Sequence, residues 1–269
     1  MVKSQSPLRE YLKNGSIGAL ALLCVGSRFI PGTEQNGPIL TAAVAYAAPS
    51  RPADSTGIKV LDVLATKTET ALNAIQTAVR PLSHPKALET AFRSYFAYTT
   101  AHPGEVKKPL LYFVDYGLPS TEPRGYVFDM STLHIVEGPF TVAHGRGSST
   151  TQYGVPTRFS NAPGSAMTSL GLYIAQGLYA FRGHAGGQLY SSIGLRLQGV
   201  TRGYNDNAGA RGVVAHGAPY VTPTKAGRSE GCPAMEQQRA QRVLPELANG
   251  GMVFLFAPDA HLLSDEAGA

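Results

Sequence analysis

The sequence predicts a mainly β domain, a sandwich or barrel, carrying an N-terminal helical pair and a few short helices. Two observations lead there. From residue 109 onward, short runs rich in β-branched and aromatic residues recur between clusters of Gly, Pro, Ser and Asn, the pattern of strands joined by turns. Sustained helical spacing is confined to residues 59–100 and to one later stretch. With 30 Gly and 19 Pro in 269 residues, the chain has many turns but stays below the level of a disordered or collagen-like polymer. Its length supplies a full core without disulfide staples.

Residues 1–47 read as an export signal or membrane-targeting segment. Lys3, Arg9 and Lys13 precede the apolar run IGALALLCV, and an Ala-rich stretch ends in Ala45-Tyr46-Ala47. Nine apolar residues are too few for a bilayer that takes about twenty, so the segment allows transient membrane association and cleavage near Ala47. The expected location is outside the cytoplasm, in the periplasm or cell envelope. Residues 48–57 (APSRPADSTG) have no periodicity and read as a linker.

Two helices are expected within an extension spanning 58–104 that packs on the core, because two helices alone bury too little surface. The first, 59–79, lines up Val60, Leu64, Leu72, Ile75 and Val79 and stops before Pro81. The second, 85–100, opens with Pro85, whose missing N–H is not needed in a first turn. Its stripe is Leu88, Ala91, Phe92, Tyr95 and Phe96. The main domain, 105–260, has expected strands at 110–116, 125–130, 133–143, 170–174, 193–197, 212–215 and 252–257. A helix at 236–247 carries Ala240, Val243, Leu244 and Leu247 on one face, with Pro245 in its last turn. Residues 261–269 form a tail.

Chemistry concentrates in two segments. A β-run ends in His216-Gly217, and Cys232 follows sixteen residues later inside GRSEGCPA. Once a leader containing Cys24 is removed, Cys232 is the one remaining thiol, and an unpaired thiol in an exported chain is a candidate nucleophile. A thiol attacks poorly until deprotonated, and an imidazole can take its proton. Gly231 permits a tight backbone beside the nucleophile, so the N–H groups of Gly231 and Cys232 are candidates for an oxyanion site. Arg228 reads either as a carboxylate or carbonyl partner or as a surface ion pair. Ser229 reads either as substrate-facing or as orienting the nucleophile loop. His144 reads as architectural.

Together with VAHGRGSS (142–149), FSN (159–161), SLGLY (169–173) and GYNDNA (203–208), the HGA and GRSEGCPA segments resemble the murein L,D-transpeptidase catalytic domain family, a YkuD-like branch. The resemblance runs from about residue 110 to 259. It implies a β-rich domain in which Cys232 is the nucleophile, His216 the base and Gly231 part of the oxyanion backbone. It also implies peptidoglycan stem peptides as substrate, and Arg228, Ser229, His184 and Gly217 are the candidate substrate-binding residues. Two positions depart from the broader YkuD pattern: Glu230 stands where that pattern has His, and Ala234 where it has Arg or Asn. The stretch from Gly183-His184 to Leu195-Arg196-Leu197 is longer than the family's.

No metal or organic cofactor is expected, since no H-E-x-x-H, C-x-x-C or close His pair is present. A formal charge of +5 without Lys/Arg runs or basic–aromatic stripes speaks against a nucleic-acid groove. Three outcomes stay open from sequence: cross-linking transpeptidation, cleavage of the same stem peptides by carboxypeptidase or endopeptidase action, and a wall-binding module without turnover. Oligomeric state is not legible.

Overall fold

The structure is a computed structural model, and it describes residues 55–264. The expected leader, residues 1–47, lies outside the described residues, as do 48–54 of the expected linker and 265–269 of the tail. The first helix, α1 (Ser55–Ile75), begins inside that linker stretch and ends four residues before the expected stop. The second, α2 (Ala87–Ala101), starts just after Pro85, which precedes the N-cap Lys86.

Strands follow in the order β1 (Leu110–Asp115), β2 (Gly125–Asp129), β3 (His134–Phe140), β4 (His144–Gly145), β5 (Gly171–Ala185), β6 (Gln188–Gly199) and β7 (Val214–Gly217). The short segments β8 (Val221–Thr222), β9 (Lys225–Ala226), β10 (Arg228–Ser229) and β11 (Ala234–Met235) come next. Helix α3 (Gln237–Leu247), strand β12 (Met252–Phe256) and helix α4 (Ala260–Leu263) complete the domain. The mainly β class with an N-terminal helical pair is what the strand–turn pattern predicts.

Eight strands form one mixed sheet, ordered β11-β7-β6-β5-β12-β1-β2-β3, and two two-stranded ribbons, β10–β4 and β8–β9, stand beside it. Within the eight-stranded sheet pairing is antiparallel except at β1–β12 and at β11–β7, and the β10–β4 ribbon is parallel as well. Helices cover both faces, which explains why the central strands read as nearly continuous apolar runs. Alternation sorts β1: Leu111 and Phe113 face α2, while Tyr112 and Val114 face α3. Strand β12 divides likewise, Met252, Phe254 and Phe256 against Val253 and Leu255.

Helix α2 buries Leu88, Ala91, Phe92 and Tyr95 on the first face, and Phe92 meets Phe128 edge-to-face with centroids 5.5 Å apart. Helix α1 joins that layer through its C-terminal half, with Ala71 and Ile75 buried in it and Leu72 packed against it. The expected stripe is therefore longer than the surface that covers it: Val60 is exposed, as are Leu61 and Val63 beside it.

Strands β5 and β6 are the main departure in extent. The apolar runs at 170–174 and 193–197 mark only the inner ends of a long hairpin that turns at Gly186-Gly187, both at positive φ. Beyond the sheet core its residues alternate between part-buried and exposed.

Candidate active site

Strand β7 carries His216, and β11 pairs with it in parallel, Ala234 opposite His216. The His216 N–H donates to Pro233 O at 3.4 Å, so Cys232 sits one residue from a backbone bond to the histidine it was expected to meet. Sixteen residues of loop thus return the thiol to the end of the strand that bears the imidazole.

The imidazole is held on three sides. Its Nδ1 donates to Gly217 O at 3.1 Å, which fixes the tautomer and leaves Nε2 with a free lone pair. The Phe181 ring from β5 stacks on it, centroids 4.1 Å apart and planes within 16°. The Tyr190 hydroxyl from β6 stands 3.5 Å from Nδ1. His216 is 2 % exposed. Burial pulls its pKa down from 6.5 to about 4, with the Gly217 carbonyl opposing, so it is a neutral acceptor at neutral pH.

Cys232 is half-buried and unpaired. Burial pushes its thiol up; the Val214 backbone and Arg211 pull it back down, and Glu230 adds to the rise. The loop before it is tied by one hydroxyl: Ser229 Oγ donates to Cys232 O at 2.7 Å and accepts from Gly231 N–H at 3.1 Å. Of the two readings for Ser229, the geometry places it on the loop's own backbone. The same bond engages the Gly231 N–H expected for an oxyanion, while the Cys232 N–H has no hydrogen-bond partner among the described residues. Gly231 lies at φ +126, and a Cβ there would stand 2.9 Å from Met167 O, so only glycine fits without strain.

The remaining expected residues fall in different places. Gly217 is buried in β7, its carbonyl orienting His216. Arg228 is exposed and donates to Ser149 O at 3.3 Å. His184 lies next to the hairpin tip, paired with Leu189, exposed, and out of alternation with the Phe181 that covers the imidazole. Glu230, at the position where the broader pattern has His, forms an exposed ion pair with Arg146, 2.7 Å from its Nε.

His144 is buried beside this loop, since β4 pairs with β10. A Cβ on its neighbour Gly145 would lie 2.9 Å from Gly231 Cα. The fully buried Arg124 donates from Nη2 to His144 Nδ1 at 3.0 Å and from Nε and Nη2 to Val142 O. Burial and the adjacent Arg124 and Arg228 hold the imidazole neutral, its pKa pulled to about 3. Its Nε2 has no partner among the described residues.

Sequence reasoning missed Phe181, Tyr190 and Arg211. The rings belong to the outer half of the hairpin, where no apolar run marks a strand. Arg211 sits in a turn three residues past the GYNDNA segment, and nothing local marks it as functional. Among the described residues no group of three or more His, Cys, Asp or Glu could hold a metal ion. A separate cavity of about 650 Å³ lies between α2 and the segment after β6, lined by Tyr98, His102, Arg202 and Tyr204 and by neither His216 nor Cys232.

A model of the L,D-transpeptidase catalytic domain matches residues 81–256, from just before α2 to the end of β12. The chain belongs to the L,D-transpeptidase catalytic domain family. Solved structures similar to this family member include an L,D-transpeptidase from Mycobacterium smegmatis, 14% identical, with 56% of this chain and 59% of that one covered and a TM-score of 0.34. Another is L,D-transpeptidase 3 from Mycobacterium tuberculosis, 12% identical over 55% of this chain and 61% of that one, with a TM-score of 0.33. The chain thus spans about three-fifths of those structures' length. Its membership in the L,D-transpeptidase family rests on the family match over 81–256. A search of the curated proteins finds no match.

Proposed function

We propose that this protein is an exported cysteine L,D-transpeptidase acting on peptidoglycan stem tetrapeptides. The observation that supports it most is the pairing of β11 with β7, which brings the Cys232 loop to an imidazole whose Nδ1–H is committed to Gly217 O. Such an imidazole has one task left for it, to accept a proton at Nε2.

In this reading His216 Nε2 takes the Cys232 proton, and the thiolate attacks the carbonyl carbon of the L,D-peptide bond. The developing oxyanion is met by the Cys232 N–H. The C–N bond breaks, the protonated imidazole returns its proton to the departing amine, and D-Ala leaves with a thioester on Cys232. An acceptor amine then attacks the thioester, His216 takes its proton and restores it to sulfur, and a new peptide cross-link results. Ser229 keeps the loop in place, and Phe181 keeps bulk water off one face of the imidazole. Export rests on the basic residues and apolar run of the first 25 residues together with the wall location of the substrate. Among the described residues no helix is long and apolar enough to cross a membrane.

The test is intact-protein mass spectrometry of the chain incubated with a disaccharide tetrapeptide, beside Cys232→Ala. A thioester adduct on Cys232 with free D-Ala and cross-linked product is expected. Tripeptide in place of cross-link would make water the acceptor and the enzyme a carboxypeptidase. Folded protein with a reactive thiol, no adduct and no D-Ala would overturn the reading in favour of a wall-binding module.

A further inference from the structure

The neutral resting state of His216 raises a question about the thiolate. Where an imidazolium stands beside a cysteine, the ion pair favours the thiolate. An imidazole with a pKa near 4 gives no such help at neutral pH. The other groups that act electrostatically on Cys232 come from several elements. Tyr116 follows β1, Tyr173 and Tyr179 lie on β5, Tyr190 on β6 and Tyr220 after β7, and burial pushes the hydroxyls of all five up, so they are neutral. Glu230, on the nucleophile's own loop, opposes the thiolate. Among the described residues one cation acts in the other direction, Arg211.

Its placement is built rather than incidental. Arg211 Nη1 donates to Ser160 O at 2.7 Å, and Nη2 donates to Met167 O at 2.7 Å and Ser165 Oγ at 3.2 Å. Three of its five N–H donors are thereby fixed, and none of these bonds goes to a carboxylate. Nη2 lies 3.6 Å from the point a Cβ would occupy on Gly231, and Met167 O lies 2.9 Å from it. The guanidinium and the carbonyl it grips together close over the residue before the nucleophile. Arg228, the cation nearest to Cys232 in sequence, makes a single longer bond on the surface.

We propose that Arg211 is a positioning residue of the reaction, holding the 160–167 segment against the Gly231 turn and placing a fixed positive charge beside the Cys232 thiolate. Ala234 leaves this chain without the Arg or Asn that the broader YkuD pattern has two residues after the nucleophile, and Arg211 supplies a guanidinium from β7's leading turn instead. The inference deepens the transpeptidase reading, resting on Cys232 as nucleophile. Its test needs no stem peptide, so the two can fail separately.

The experiment is the pH dependence of iodoacetamide alkylation at Cys232, followed by peptide mass spectrometry in the full chain so that Cys24 does not contribute. Arg211→Met keeps length and removes charge. Its alkylation midpoint is expected to rise by about one pH unit, a tenfold loss of thiolate below the midpoint. Arg211→Lys is expected to recover most of that shift, and His216→Gln to leave the midpoint near that of the unaltered chain. Ser165→Asp provides a variant that keeps Arg211 in place while pairing its charge, and it too is expected to raise the midpoint. A folded Arg211→Met or Ser165→Asp with an unmoved midpoint would overturn the proposal, as would a His216→Gln shift larger than that of Arg211→Met.

Discussion

Replacing Ser229 by Ala removes one oxygen and unties the Cys232 loop at two points. Ser229 is 6 % exposed, and its Oγ both donates to Cys232 O and accepts from Gly231 N–H. Each bond contributes about 0.5–1.5 kcal/mol, and leaving a buried backbone group unsatisfied costs about 1–3 kcal/mol. Water can reach the half-buried Cys232 carbonyl more readily than the buried Gly231 N–H, so the expected loss is about 2–3 kcal/mol. For a folded unit of this size that is about 5–10 °C in Tm. The same slack lets Gly231 leave φ +126. Misplacing a reacting atom by about 1 Å costs on the order of 100-fold in rate, so acylation of Cys232 should fall 10- to 100-fold. Urea denaturation and the acylation rate with a tetrapeptide donor, measured on Ser229→Ala and Ser229→Thr, check both halves. Thr keeps the hydroxyl and should retain most stability. A Ser229→Ala protein within 0.5 kcal/mol of the parent and acylated at the parental rate would refute the loop argument.

Other consequences follow from burial and packing. His216 and His144 are neutral in the fold with pKa values near 4 and 3, against 6.5 when exposed, so between those values the unfolded chain binds more protons and stability falls as pH drops. At pH 5 each contributes about 2 kcal/mol of that loss, so the urea midpoint should be clearly lower than at pH 7; equal midpoints would contradict the neutral assignment. Phe181→Ala uncovers one face of the His216 ring, and the imidazole's NMR titration midpoint should move up toward the solvent value. Phe92→Ala opens a cavity between α2 and the sheet at a cost of about 3–5 kcal/mol, and calorimetry should register it while Cys232 alkylation of the folded protein is unchanged.

The sequence located the sheet well where strands are buried on both faces. Strands β1, β2 and β12 and helix α3 fall within a residue or two of their apolar runs, because helices on each side demand apolar residues at every position. The β5–β6 hairpin fails that criterion. From Gln176 outward it has at most one covered face, and its Tyr, Arg, Gly and His residues carry no continuous hydrophobic signal. The same physics explains the site. The proposed pair, Cys232 and His216, stood out in the sequence because each lies in a local motif, whereas Phe181, Tyr190 and Arg211 meet it through contacts between segments far apart in the chain. His184 drew notice by resemblance, yet the register places it near the exposed hairpin tip.

The short parallel contact between β7 and β11 has a consequence for how this protein would wear out. Strand β11 is two residues long and stands at the end of the eight-strand order, flanked outside by a single bridge from Ala143 to Ala234. Edge segments of this kind open with far less free energy than a central strand such as β12. The thiol loop is anchored at its far end by that two-residue seam, held by a few backbone bonds and by the burial of Met235 in the core. On heating, the reactive pair is expected to come apart while the rest of the sheet is still intact, so that inactivation precedes melting and is reversed on cooling.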